Sequence, residues 1–166
     1  MYRGIEDFIK DWETESAGTS RIFAALTDES LNVKIHEEIR SLGRLAWHLT
    51  QTITEMGKRA GLFAEDELED KEIPSSAAEI LNCYQQYGVL LSRGLRLKWT
   101  DSSLEDQVEM YGEHWEKGKV LRVLIAHQTH HRGQMTVIMR MLGLPVIGLH
   151  GPSKEEWAAF GMTAPE

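Results

Sequence analysis

The stretch from Lys119 to Leu142, KVLRVLIAHQTHHRGQMTVIMRML, decides the fold. Val120, Leu124, His127, His131, Gln134, Ile138 and Leu142 recur with the 3.6-residue period of an α-helix, so the segment reads as a helix with one inward stripe. Gly143 can take the left-handed conformation and Pro145 cannot continue the helix, which marks its end. The stripe is apolar except for His127, His131 and Gln134. A buried imidazole without a partner costs roughly 1 to 3 kcal/mol, so these rings need hydrogen bonds or a ligand. Spaced four residues apart, the two rings stack on one face, near enough to share one metal ion. From the pair alone, a metal site and two core histidines satisfied by their surroundings both remain open.

Working outward, the period stays helical almost throughout. Ile5, Phe8, Ile9, Trp12, Thr19, Ile22, Phe23 and Leu26 predict a first helix from about Gly4 to Ala25, with Gly18 a mild weakness in its middle. After a poorly patterned stretch, Ser41 caps a second helix whose apolar face is Leu42, Leu45, Leu49, Ile53 and Met56, and Gly61 ends it. The acidic run AEDELEDKE reads as a loop. Ser76 to Glu79 has capping-box spacing and opens a third helix reaching about Lys98, with Ile80, Tyr84, Tyr87, Leu91 and Leu95 inward. Trp99 to Gly118 mixes glycine, aspartate and aromatics without a sustained period, as a loop with room for a turn or short strand pair. The Gly-rich ending VIGLHGPSKEEWAAFGM is expected to cross the outside of the domain. Four long helices without a strand ladder make an all-α four-helix bundle. Its connections are longer than bundle hairpins, which points to a crossover topology.

The 166 residues are expected to form one domain, 1–166, burying ~68 to 70% of the unfolded surface. With Cys83 as the single cysteine there is no intramolecular disulfide, and no apolar run is long enough to span a membrane. The amphipathic, acidic N-terminus lacks the features of a signal peptide, so a soluble, cytoplasmic protein is expected. A net charge of −8 without any Lys/Arg cluster argues against nucleic-acid partners.

His48 lies in the second helix, at the edge of its apolar stripe, and could complete a three-histidine site with His127 and His131. Three protein ligands with a vacancy are the usual build of a catalytic site, whereas structural zinc is closed by four. His130 lies about 100° round the helix from His131. His36, His114 and His150 read as surface residues, although the HWEKGK turn that carries His114 precedes the fourth helix and could fold over the site, and Cys83 reads as a small packed side chain. A zinc-protease helix would need glutamate directly after His127. The residue there is Gln128, which cannot take a proton from bound water.

A histidine in the second helix, followed in the last by His-x-x-x-His-Arg-Gly-Gln and then by LGLPVIGLHGPSKEEWAAFGM, resembles the DinB and YfiT-like superfamily over nearly the whole chain. The resemblance implies up-down-down-up connectivity, a homodimer, and a divalent metal ion, nickel or zinc, on His48, His127 and His131. It also implies a function. Characterised relatives include thiol S-transferases and an isomerase that use low-molecular-weight thiols, so conjugation of such a thiol to a small-molecule electrophile is the leading expectation. A metal-dependent hydrolase and a non-enzymatic metal-binding stress protein are the alternatives. Gln134 is expected at the site wall or behind a ligand, and Arg132 off the stripe beside an acidic neighbour. Trp99, Tyr111, Trp115 and Trp157 are expected to line a pocket or an interface.

Overall fold

Two serines start two of the helices. The Ser41 hydroxyl accepts from the Arg44 N–H at 3.2 Å and the Ser76 hydroxyl from the Glu79 N–H at 3.4 Å, each satisfying an amide that a first turn leaves without an intrahelical partner. In the computed structural model, which describes residues 2–165, these caps open α2 (Leu42–Arg59) and α3 (Ala77–Lys98). With α1 (Ile5–Ala24) and α4 (Lys117–Met141) they form an all-α four-helix bundle. Gly61 and Gly143 follow α2 and α4 with φ of +79° and +71°, the left-handed stops expected there. α4 starts two residues before the expected Lys119, and Gly118 is buried in its first turn.

Contacts at the helix ends set their directions. Arg96, near the end of α3, pairs with Glu6 in the first turn of α1 at 2.9 Å, and Asp28, just past α1, accepts from the Ala77 N–H at 2.7 Å. α1 and α3 are therefore antiparallel. The Leu31 carbonyl accepts from the Gly43 N–H at 2.9 Å, so α2 starts where α1 ends. Lys98 at the end of α3 reaches the Leu62 carbonyl just past α2, which makes α2 and α3 parallel. Asp101 accepts from the Ile5 N–H at 2.9 Å, and Asp106 holds Lys117 at 2.9 Å, which places the starts of α1 and α4 together. The order is up, down, down, up. α1 and α2 each pack on both α3 and α4, so only the 60–76 connection must cross the length of the bundle.

Between α3 and α4, the segment without a period holds a small antiparallel hairpin, β1 (Gln107–Met110) and β2 (Glu113–Glu116), closed by Tyr111 and Gly112, both at positive φ. That two-residue turn matches the twist of the strands it joins. Of the aromatic side chains expected at a pocket or an interface, Trp115 borders a cavity of about 310 Å³ with His114 and Lys119. Trp99 is buried under Lys117, while Tyr111 and Trp115 pack edge to face on the hairpin.

The C-terminal segment crosses the outside, as expected. Glu155 pairs with Arg140 at 2.6 Å, and Leu149 lies against α1. Gly18, expected as a weakness, is a close-packing point. A Cβ there would stand 3.3 Å from both Arg132 Nη1 and a Leu149 methyl. Among the described residues no helix is long and apolar enough to cross a membrane.

Candidate metal centre

His48 projects from the second turn of α2, and His127 and His131 from successive turns of the antiparallel neighbour α4. His48 Nε2 lies 3.1 Å from His127 Nε2, which lies 3.2 Å from His131 Nε2. One nitrogen from each ring falls within 4.8 Å of the others, and these three form a grouping that could hold a metal ion. Ligands at zinc–nitrogen bond lengths in a tetrahedron stand ~3.3 Å apart, close to the two short separations. A single in-plane site on His127 Nε2 cannot serve two ring nitrogens with good hydrogen-bond geometry. A cation at their common focus can.

The other face of the rings is arranged to match. His131 Nδ1 donates to Gln134 Oε1 at 2.8 Å, and Gln134 Nε2 donates to His130 Nε2 at 3.0 Å. With the proton on Nδ1, the His131 Nε2 lone pair is left to face the other two rings, the usual bracing of a metal-ligating histidine. Gln134 thus acts both behind a candidate ligand and as part of the site wall. His127 Nδ1 is buried without a partner among the described residues.

Burial along α4 corrects the single stripe. His131 is buried, His127 half-buried and Gln134 exposed, while the deeper positions include Leu124, Gln128, Arg132, Met135 and Met139. A long helix among three others buries an arc wider than one stripe, and the histidines occupy the flank toward α2. Gln128 turns the other way, accepting from the Tyr84 hydroxyl at 3.0 Å and donating to the Leu49 carbonyl at 3.1 Å. Arg132, expected off the stripe, is only 3% exposed. Its acidic neighbour is Glu15 on α1, and it also donates to the Glu15 carbonyl at 2.8 Å.

The remaining histidines stay out of the cluster. His36 and His150 are exposed, as expected, although His150 Nε2 comes within 3.5 Å of Glu15. His114 sits exposed on β2, beside the start of α4, at the opposite end of the bundle from His48, and so does not fold over the site. Cys83 is half-buried, and burial raises its thiol pKa.

Burial, followed by repulsion from the neighbouring rings and Arg40, lowers the pKa of His48 and of His127 to about 4. Burial also lowers that of His131, while the bond to Gln134 acts in the opposite direction. The rings are neutral at neutral pH, the form in which a lone pair is free. Among the described residues, Arg40 is the side chain outside the histidines whose charge bears on all three. Sequence reading passed over it because the segment before Ser41 has no period. Arg40 borders a cavity of about 570 Å³ that reaches His131 and Gln134.

Known proteins share this architecture. YrdA of Bacillus subtilis (strain 168), described as an uncharacterized protein, is 40% identical over 166 residues, spanning 100% of this chain and 99% of its own length. The crystal structure of a DinB-like protein from Bacillus cereus ATCC 10987 superposes with a TM-score of 0.85 at 38% identity, covering 90% of this chain and 100% of that one. A second DinB-like protein, YjoA of Bacillus subtilis, superposes at 0.70 with 15% identity, covering 89% and 99%, and speaks for the fold alone. A model of the DinB family matches residues 1–166, and with these likenesses the chain belongs to the DinB family.

Proposed function

We propose that His48, His127 and His131 bind one divalent ion, nickel or zinc, and that the open position beside them takes a low-molecular-weight thiol for transfer to a small electrophile. The observation that carries this reading is the convergence of three neutral Nε2 atoms, two of them 3.1 and 3.2 Å from the third. A divalent ion there would lower the pKa of a thiol so that its sulfur is available as thiolate at neutral pH.

The chain's own part is to hold and shield. Gln134 orients His131, burial keeps the rings unprotonated, and the cavity beside His131 has room for the electrophile. In the transfer a sulfur–carbon bond forms, the leaving group departs with its bonding pair, and the thiol proton passes to solvent. Gln128, which follows His127, is tied into the core between Tyr84 and Leu49, and its neutral amide cannot serve as a general base for water.

The test is elemental analysis of untagged protein, with His48→Ala and His127→Ala alongside, followed by a thiol and electrophile screen. A single divalent ion per chain, absent from His127→Ala and severely depleted in His48→Ala, together with thiol-dependent turnover, is expected. Wild-type protein that stays metal-free after incubation with zinc and nickel would sink the whole reading. A loaded protein inactive across the panel would leave only the metal centre.

A further inference from the structure

The cavity beside the histidines is built for more than an ion. At about 570 Å³ it falls in the size range of small-molecule sites, roughly 300 to 1,000 Å³. Ile35 and Ile39, from the connection between α1 and α2, face Val137, Ile138 and Met141 from the last turns of α4 across it, and His131 and Gln134 border it. Val137 and Met141 are 60% and 64% exposed, so this part of α4 presents apolar side chains that the bundle core does not use.

Arg40 stands in the same wall. It makes no hydrogen bond or ion pair among the described residues, in a chain with 26 acidic side chains against 18 basic ones. Arg44, one turn further on, is by contrast held by Gln51 at 3.2 Å. Glu38 also lines the cavity, but it forms no ion pair with Arg40 among the described residues, so the Arg40 guanidinium keeps its donors free for an anion. A guanidinium offers a planar pair of donors that matches the two oxygens of a carboxylate.

We propose that this cavity binds a small molecule with an apolar body and a carboxylate, the carboxylate held by Arg40 and the body lying along Ile39, Val137 and Met141 toward His131. Its role as the electrophilic substrate rests on the metal-centre reading; its binding does not. The apolar wall supplies affinity that any compound of the right size would share, and Arg40 supplies the preference for acids.

Isothermal titration with phenylbutyrate, phenylbutanol and phenylbutylamine tests this on metal-loaded protein and on protein stripped by a chelator. The acid is expected to bind roughly ten-fold or more tightly than the alcohol, with the amine weakest. Arg40→Gln is expected to abolish that preference while leaving the alcohol unchanged, and Arg40→Lys to retain part of it. Arg40 is exposed, and circular dichroism checks that both variants stay folded. Equal binding of acid and alcohol, no binding of either, or an acid preference that survives Arg40→Gln would overturn the assignment. If that surviving preference disappears on chelation, the carboxylate sits on the ion, and the metal centre stands without the Arg40 site. A preference that depends on Arg40 in a protein that never takes up metal would have the opposite meaning.

Discussion

His127 is the middle member of the trio, within 3.2 Å of both partners through the same Nε2 atom. Gln134 has the most to do behind it, since its amide sets which nitrogen of His131 carries the proton. Gln134→Leu is expected to weaken zinc or nickel affinity by roughly 10- to 100-fold, measured by competition with a chelating dye. His130→Ala, which removes only the outer end of that chain, is expected to leave affinity nearly unchanged. Acid should also release the ion. With the pKa of His48 and of His127 lowered to about 4, the folded chain binds fewer protons than the unfolded one between that value and the ordinary histidine value near 6.5. The stability of the metal-free protein from these two rings is therefore fully present above pH ~6.5 and lost as pH falls toward ~4. Urea midpoints at pH 7.5 and 4.5 are expected to differ less in the His48→Gln/His127→Gln double variant than in the parent.

Among the elements, α1 and α4 are joined by the acidic pairing expected of Arg132, made in the interior where the single-stripe reading of α4 did not place it. The Arg132 and Glu15 side chains are 3% and 12% exposed, and Thr19 accepts from Arg132 Nη1 at 3.3 Å. Glu15→Ala would leave the guanidinium buried without its counter-charge, and a loss of about 3 to 5 kcal/mol is expected in chemical denaturation. The helices themselves were legible, because Leu42, Leu45, Leu49 and Ile53 or Ile80, Tyr84, Leu91 and Leu95 can face inward only at helical spacing. The inward turn of Gln128 and Arg132 was not, because long polar side chains carry no periodic signal and their partners, Tyr84 and Glu15, lie far away in sequence. The same limit hid Arg40, whereas the three histidines were found because two share one face at a four-residue interval. His114 is exposed, as a surface residue should be, but no sequence signal showed that a hairpin carries it to the far end of the bundle from His48.

At the scale of the whole molecule, the up-down-down-up order sets α2 antiparallel to α4, which brings His48 of an early turn against the middle of the last helix. Binding at that junction favours only the folded chain. Zinc or nickel at 100 times its dissociation constant is expected to add about 2.7 kcal/mol and raise the melting temperature by roughly 5 to 10 °C over chelator-treated protein in calorimetry. His48 and His127 are 79 positions apart in the chain. A nascent α4 by itself offers only His127 and His131, and the third nitrogen arrives when α2 has docked and the crossover lies in place. On the proposed metal reading, the trio would work as a test of completeness: a half-assembled chain would grip an ion with two fingers, and a firm hold would report that assembly is finished.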